Sequence, residues 1–368
     1  MYIIIEELSE GGVRGVRKLL AMICLICMLP VCASAVPDTP YDAGLMLRYQ
    51  LLSTKQKMLF DLLYTAAARG DNTVKLPEKT AYQDAVIVMD ALTDDCPELC
   101  ALSPIYSISY YRDEPDCAVE VKLQYQLPQE TQHMLLDAAL ALAEQAQGDA
   151  YTREVQLHDA LCAAATYDLT GQAQATAYGA LVEGRAGCEG YARAMILLCR
   201  LAGIPSGLVT GTALHNGQME RHAWCVMSVG GVMTQTDPTW NDQEGLGVNT
   251  YWYFNLTDAQ MAADHQPDEG LMLPACTDAS ASWHARNGWL VPHEGGEEVI
   301  RRALAHFAKE NTAVSLRFAC AEDAAAFVDA LDQWWHNYNE ENPEYPFSGS
   351  YGAAVSVTQG CVLILPAS

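Results

Sequence analysis

The sequence predicts an α+β fold, with helices and antiparallel strands in largely separate stretches of the chain. Several segments carry apolar residues at helical spacing, most clearly 54–69. From Val119 to Leu127, apolar and polar residues alternate strictly, which indicates a half-buried strand. Gly230-Gly231 separates two apolar runs, a signal for a two-residue hairpin turn. Helical and strand periods therefore occur in one chain without a repeating βαβ pattern.

The N-terminal elements follow from these periods and from end signals. Ser53 can cap a helix whose apolar stripe includes Leu59 and Leu63, and Gly70 ends it. A second helix carries Ala85 to Leu92 at helical spacing. The predicted elements are helices over 54–69, 85–92 and 128–147 and strands over 105–111 and 119–127.

The rest of the chain divides into two further parts. A turn-rich stretch after residue 268 leads into a small β-α-β tail, with a strand over 315–318, a helix over 322–338 and a strand over 354–365. We therefore expect a signal segment over 1–35, an N-terminal α+β region over 36–149, a central core over 150–268 and a C-terminal small α/β region over 269–368.

Composition restricts the classes of partner. The 368 residues carry a net charge of −25 and are 50% hydrophobic. Such a chain is globular, and its negative charge argues against binding nucleic acid or an anionic membrane surface.

The first 35 residues resemble an export signal. Arg14, Arg17 and Lys18 precede the apolar run Leu19–Val31, and Ala33-Ser34-Ala35 offers a cleavage site near Ala35. The run is too short for a confident membrane span, although a buried apolar helix is an alternative. We expect a secreted or cell-surface protein without a stable membrane span after cleavage.

Cysteine is abundant, with 13 in the chain. Disulfides are compatible with export, and the sequence leaves their pairing open. Cys96 and Cys100 are spaced C-x3-C with no matching Cys or His pair nearby, and the chain has no H-E-x-x-H motif and no glycine-rich phosphate loop. We expect neither a metal nor a cofactor.

Cys188 is the candidate nucleophile. It precedes a strongly helical segment and follows Gly187, so it should lie at the positive end of a helix dipole. That position favours the thiolate, which is the reactive form of cysteine. The backbone N–H of Cys188 could also stabilise an oxyanion.

His222 and Asp237 are the candidate base and its orienting acid. With the turn at Gly230-Gly231, strands over 222–229 and 232–239 would place Trp224 opposite Asp237. His222 and Asp237 would then be diagonal neighbours on one face, whereas a one-residue slip would separate them. Each residue alone has a structural explanation, but together they predict a Cys-His-Asp site.

Other residues have weaker cases. Trp224 and Trp240 could wall the site, and Tyr178 could line the substrate cleft. We interpret His158, beside Asp159, as a hydrogen-bonded core residue, and His265 as structural.

Three stretches together resemble the bacterial transglutaminase-like superfamily. They are AYGALVEGRAGCEGYARAMILLCRLAGIPSGLVTG, RHAWCVMSVGGVMTQTDPTWND and YWYFNLTDAQMAADH, within about 155–265. The resemblance implies a papain-like core, with a nucleophile helix packed on an antiparallel sheet. It also implies catalytic roles for Cys188, His222 and Asp237, and it leaves the reaction open, since members include cross-linkers, peptidases and amidases.

We therefore expect an exported cysteine acyl-transfer enzyme that acts on protein or peptide amides, such as those of a cell wall, through a Cys188 thioester. Water in excess outside the cell favours hydrolysis over amine transfer. The alternative is a non-catalytic module that retains the fold to bind a peptide or glycan.

Overall fold

The computed structural model describes residues 3–8, 39–272 and 274–367. The chain divides into two compact units, Met1–Leu140 and Ala141–Ser368. The predicted signal features at 14–35 lie outside the described residues, and the predicted boundaries at 149 and 268 stay predictions. No helix among the described residues is both long enough and apolar enough to cross a bilayer.

The first unit packs helices against a four-stranded sheet of order β1-β3-β4-β2. Strands β1 and β3 are parallel, and the other pairs are antiparallel. The predicted strand 105–111 lies within β3, whereas the predicted strand 119–127 corresponds to β4, which ends two residues earlier, at Tyr125. Strands β3 and β4 pair with each other, as expected for partner strands. The elements are β1 (Ile3–Leu8), α1 (Leu47–Leu51), α2 (Thr54–Arg69), β2 (Thr73–Ala81), α3 (Tyr82–Asp95), β3 (Leu102–Tyr111), β4 (Glu114–Tyr125) and α4 (Glu130–Ala143), which continues past the unit boundary.

Local sequence sets the ends of α2. Ser53 and Gln56 form a reciprocal capping box at its start. Gly70 ends the helix with φ +79°, a left-handed conformation that glycine adopts without steric cost. The helix spans the predicted residues 54–69 because both of its end signals are encoded locally.

The second unit contains the candidate site. Its central sheet has the order β12-β7-β8-β9 and is antiparallel throughout. The elements up to this sheet's last strand are α5 (Ala150–Ala164), β5 (Thr166–Tyr167), α6 (Ala177–Leu181), β6 (Arg185–Ala186), α7 (Cys188–Leu201), β7 (Ser206–His215), β8 (Gln218–Val229), β9 (Val232–Thr236), α8 (Pro238–Asn241), β10 (Asp242–Gln243), β11 (Val248–Asn249), α9 (Asp258–Met261) and β12 (His265–Pro267).

Helix α7 lies at the centre of this unit. Every residue from Gly190 to Arg200 is buried. The helix contacts β7 and β8 on one side and α5 and α6 elsewhere. A helix packed against an antiparallel sheet is the core arrangement that the sequence resemblance implies, so the α+β fold prediction is confirmed.

The C-terminal part of the same unit forms a second four-stranded sheet of order β13-β14-β16-β15. The predicted β-α-β tail had two strands and one helix, whereas the described residues of this part form four strands and four α-helices. The helix expected over 322–338 is two helices, which meet at Ala330. The segment expected as one strand over 354–365 is two strands, because Gly360, at φ +61°, turns the chain between them. The elements are α10 (Trp283–Asn287), β13 (Leu290–Val291), α11 (Glu297–Glu310), β14 (Val314–Phe318), α12 (Ala321–Asp329), α13 (Leu331–Glu341), β15 (Tyr351–Ser356) and β16 (Cys361–Pro366).

Candidate active site

Cys188 is the first residue of α7, and Gly187 is the N-cap. The N–H of a first-turn residue has no acceptor within its own helix, and the helix dipole is positive at this end. Cys188 is partly exposed and is a free thiol. Its position therefore combines an environment that favours a thiolate with access for a substrate.

The approach to α7 is tightly packed. A Cβ on Gly190 would lie 2.5 Å from the carbonyl oxygen of Gln174 and 2.7 Å from the Cβ of Ala186. The backbone at Gln174, in the loop before α6, therefore comes closer to α7 than a side chain at Gly190 would allow. This contact fixes the start of α7, and with it the position of Cys188.

The β8–β9 hairpin has the predicted register. Val229 pairs with Val232 across the Gly-Gly turn, and Cys225 pairs with Thr236. Both turn glycines have positive φ, 60° and 88°, as a type I′ turn requires. His222 lies further along β8, and its side chain is buried.

Strand β9 ends earlier than predicted. The strand expected to reach residue 239 stops at Thr236, because Pro238 starts the short helix α8 with Asp237 as its N-cap. Asp237 Oδ1 accepts from the backbone N–H groups of Thr239, at 2.9 Å, and Trp240, at 3.2 Å. The cap holds the carboxylate in a fixed orientation.

The other carboxylate oxygen reaches His222. His222 Nε2 lies 2.7 Å from Asp237 Oδ2, and Asp237 is fully buried. The structure thus brings the predicted base and acid into direct contact. With Nε2 on Asp237, the ring nitrogen that remains for Cys188 is Nδ1.

The electrostatics of this pair favour an imidazolium. Burial opposes protonation of His222, but the charge and hydrogen bond of Asp237, together with Cys188, raise its pKa to about 10. Burial favours the neutral acid at Asp237, but His222 and His265 outweigh it and lower the pKa of that carboxyl. A protonated His222 beside an ionised Asp237 stabilises a thiolate on the same imidazole.

Aromatic rings surround His222. Trp224 is buried and stacks with the imidazole at 6.2 Å between ring centroids, and its indole N–H donates to Gln235 at 2.6 Å. Trp240 is partly exposed and lies 5.2 Å from the same ring. Both predicted tryptophans therefore contact the candidate base.

The two tyrosines differ in their relation to the site. Tyr178 lies on α6 and is partly exposed. Its role as a residue that lines the substrate cleft stays a prediction. A second tyrosine, Tyr167, has its pKa raised by burial and then by the charges of Cys188, Glu220 and Asp237. The pairing of Tyr167 with Ala186 puts it next to the nucleophile's helix, a proximity that the sequence did not predict.

His158 is a core residue with hydrogen bonds, as predicted. It is fully buried on α5, and its Nδ1 lies 3.0 Å from Asp159 Oδ1. Its ring packs edge-on against Phe254 at 5.0 Å. Glu154, on the same helix, is also fully buried and accepts from Asn255 Nδ2 at 2.7 Å.

His265 has a closer relation to the site than its sequence context predicted. Its Nε2 lies 3.2 Å from Asp237 Oδ2, the oxygen that also faces His222. It is buried on the edge strand β12, which pairs with β7. The stretch DAQMAADH gives no periodic signal for this contact, because the contact depends on strand pairing between distant segments.

Donor atoms of His222, Asp237 and His265 lie within 4.8 Å of one another, a spacing compatible with a metal site. However, the 2.7 Å between His222 Nε2 and Asp237 Oδ2 is shorter than the roughly 3.3 Å between two ligands around a tetrahedral ion with bonds of about 2.0 Å. The distance is that of a strong hydrogen bond. We therefore treat these residues as hydrogen-bond partners. A second such group consists of His293, which is exposed, and of Cys320 and Asp323, which are half-buried.

A family match covers the part of the chain that contains the candidate site. Residues 139–238 match the model of the transglutaminase-like superfamily, a range that contains Cys188, His222 and Asp237. The resemblance seen in the sequence is thereby confirmed for this region. No curated protein matches the chain.

Three solved structures are similar over parts of their length. A candidate cysteine protease from Cytophaga hutchinsonii is 22% identical, with a TM-score of 0.26 over 29% of this chain and 37% of its own. A candidate protease from Parabacteroides distasonis is 13% identical, with a TM-score of 0.22 over 34% and 29%. A TGase is 10% identical, with a TM-score of 0.29 over 60% and 58%. The chain thus spans less than two thirds of each of them.

Proposed function

We propose that this protein is a cysteine acyl-transfer enzyme that attacks a protein or peptide amide and holds the acyl group as a thioester on Cys188. One observation carries the proposal. A partly exposed cysteine lies at the N-terminus of a buried helix, and His222 interacts both with it and, at 2.7 Å, with a buried carboxylate. This combination activates a thiol while leaving it accessible.

The steps follow from the positions of the groups. His222 takes the proton of Cys188, and the thiolate attacks the amide carbonyl. The backbone N–H of Cys188 can donate to the oxyanion that forms. When the intermediate collapses, the C–N bond breaks and His222 gives its proton to the leaving amine. Asp237 keeps the imidazole oriented and stabilises its charged form throughout.

The thioester is then resolved by a second nucleophile. Water gives a carboxylic acid and hydrolysis, whereas an amine gives a new amide and cross-linking. We propose hydrolysis as the main reaction, because we also propose export of the protein, on the basis of its first 35 residues, into surroundings where water is in excess. A peptide of the cell wall is the substrate that fits this location.

Alkylation by iodoacetamide tests whether Cys188 is activated. At mildly acidic pH an ordinary thiol reacts slowly, whereas a thiolate held by an imidazolium reacts rapidly. We expect selective labelling of Cys188, identified by peptide mass mapping, and its loss in the His222→Ala variant. Cys162→Ser is the matched control and should not change the labelling. An inert Cys188 in the folded protein would refute the enzyme and favour the peptide- or glycan-binding module.

A second experiment separates the two reactions. The protein is incubated with a glutamine-containing peptide and a fluorescent primary amine, and ammonia, cleavage products and incorporated dye are measured. Ammonia or cleavage without dye in the peptide supports hydrolysis. Efficient incorporation of the dye would instead assign amine transfer. The Cys188→Ala variant provides the background for both readouts.

A further inference from the structure

The hydrogen bonds of the candidate site continue beyond Asp237. His265 lies between two carboxylates, with Nε2 3.2 Å from Asp237 Oδ2 and Nδ1 2.6 Å from Asp264 Oδ1. The side chains of His265 and Asp237 are fully buried, and that of Asp264 is 3% exposed. Water therefore has little access to either contact.

The number of protons in this bridge follows from its geometry. Each nitrogen–oxygen contact needs one proton, because an unprotonated ring nitrogen and a carboxylate oxygen both only accept. Two contacts therefore hold two protons. Imidazole is more basic than a carboxylate by more than about two pH units, so both protons reside on His265. Its two carboxylate neighbours raise the pKa of His265 despite burial, which opposes protonation.

Asp264 is itself held by further donors. The Tyr253 hydroxyl donates to Asp264 Oδ2 at 2.8 Å. Gln359, in the turn before β16, places its Nε2 3.2 Å from both oxygens. These neutral donors stabilise the ionised carboxylate and leave its charge to be balanced by His265. The C-terminal sheet thus contributes a residue to the support of the site.

We propose that His265 is a permanently charged positioning residue, an imidazolium that bridges Asp264 and Asp237 and thereby fixes Asp237 for its work on His222. Charges then alternate along a buried row: Asp264 negative, His265 positive, Asp237 negative and His222 positive. This inference rests on the proposed function, in which His222 acts on Cys188. It adds a residue that lies beyond the region matching the family model.

The charge on His265 has a second effect on the site. Its ring centroid lies 5.4 Å from that of His222, so the two positive charges repel across Asp237. The same charge attracts a thiolate at Cys188. The titratable groups that face His265 are Asp237 from the start of α8, Asp264 after α9, His222 from β8, and Tyr253. Removal of the positive charge should therefore weaken the stabilisation of a thiolate at Cys188 and make the imidazolium of His222 titrate at higher pH.

The protonation state can be observed directly in the unmodified protein. Nitrogen-15 NMR of histidine-labelled protein distinguishes ring nitrogens that carry a proton from those that do not. We expect both nitrogens of His265 to carry protons near neutral pH, with the signal assigned by its loss in His265→Gln. An unprotonated ring nitrogen on His265 would overturn the proposal. This measurement does not depend on whether Cys188 reacts, so it fails or succeeds independently of the proposed function.

Two variants test the positioning role. In His265→Gln the amide can replace the Nε2 donor to Asp237, whereas in His265→Asn the shorter amide can replace only the donor to Asp264. We expect alkylation of Cys188 at mildly acidic pH to fall roughly tenfold in the first and further in the second. The whole pH profile should also move to higher pH in His265→Gln.

A buried histidine elsewhere provides the control. His284 is fully buried and bonds Ser315 Oγ at 3.0 Å, outside the site, so His284→Gln tests for general loss of packing. It should leave the pH profile in place. An unshifted profile in folded His265→Gln would overturn the proposal.

If that variant does not fold, Asp264→Asn, which removes one charged partner but keeps the ring, should lower the pH at which His265 loses its second proton. No change in that titration would count equally against the proposal.

Discussion

His222 and His158 make similar contacts in two parts of the same unit. Each is buried next to an aspartate and interacts with a cysteine, since His158 Nε2 lies 3.8 Å from Cys162 Sγ. Burial opposes protonation in both cases, yet the acid and the thiol raise the pKa of each to about 10. A Cys-His-Asp contact therefore occurs twice, and contact alone does not identify the reactive one.

The two cysteines differ in position and access. Cys188 starts α7 and is partly exposed, whereas Cys162 is buried in the last turn of α5. The dipole is positive at the start of a helix and negative at its end, so it stabilises a thiolate only at Cys188. Cys162 also directs its thiol towards the Pro238 carbonyl, at 3.9 Å. The comparison shows that the helix end and the exposure, rather than the residue types, distinguish a candidate nucleophile from a core thiol.

The largest expected effect comes from the two cysteines themselves. Cys188→Ala should abolish turnover, a loss on the order of 10⁶-fold if the triad acts as a unit. Cys162→Ser should retain turnover within about twofold, because Cys162 is closed to substrate. Steady-state kinetics on the peptide substrate found by the assays above would compare them. Loss of activity in Cys162→Ser with an unchanged melting temperature would show that Cys162 is needed for turnover and is not merely a core thiol.

The two histidines should differ nearly as much. His222→Ala removes the base and should lower turnover by roughly 10⁶-fold and the alkylation rate at mildly acidic pH by about 10²-fold or more. His158→Gln should leave that rate unchanged and instead reduce the free energy of unfolding by about 1–3 kcal/mol, since it disturbs a buried hydrogen-bond network. Alkylation rates and urea unfolding of both variants test this. Equal alkylation losses would show that the two sites are coupled.

Asp237 and Asp159 should also differ in their effect on turnover, by less than the cysteines and histidines do. Asp237→Asn can still cap α8, yet it removes the charge beside His222, so turnover should fall by about 10⁴-fold. Asp159→Asn should leave turnover within about threefold, because its hydrogen-bond partners among the described residues are His158, Asn249 and Tyr251 rather than His222 or Cys188. Circular dichroism would verify folding of both variants. Full activity in Asp237→Asn would remove Asp237 from the mechanism.

The smallest expected effect is the pH dependence of stability. The raised pKa values of His222 and His158 add stability that is complete below about pH 6.5 and is lost as pH rises through about 10. Burial raises the pKa of Glu154 to about 8, although Asn255 opposes the shift, so its ionisation costs stability as pH rises from about 4.5 to 8.

Glu154→Gln should remove the loss of folding stability between about pH 4.5 and 8, a gain of a few kcal/mol at about pH 8. It should leave unchanged the loss of stability near pH 10 that comes from the two histidines. Thermal unfolding of the variant and the wild type across this pH range measures both losses. A variant whose stability still falls as steeply as that of the wild type below pH 8 would contradict the assignment to Glu154.

The predictability of each element depended on the range of the interactions that form it. The ends of α2 and the β8–β9 register follow from caps and a two-residue turn, signals contained within a few residues of sequence. The early end of β9 also has a local signal, because Asp237 and Pro238 are favoured at the N-cap and N1 positions of a helix. The prediction of a strand up to residue 239 did not take this signal into account. His265 and Tyr167 could not be placed, because β12 and β5 are short and acquire their positions only by pairing with distant strands.

The sequence by itself determined which residues could react: a cysteine before a helix, and a histidine and an aspartate joined by a Gly-Gly turn of fixed register. Local hydrogen bonding and helix dipoles act over one or two turns, so they can be inferred from neighbouring residues. Only the tertiary structure decided that Cys188 is accessible and Cys162 is not, and that His265 and Asp264 extend the row of charges behind Asp237. Burial and contact between distant segments arise when the sheet and the helix pack together, and no local pattern contains them.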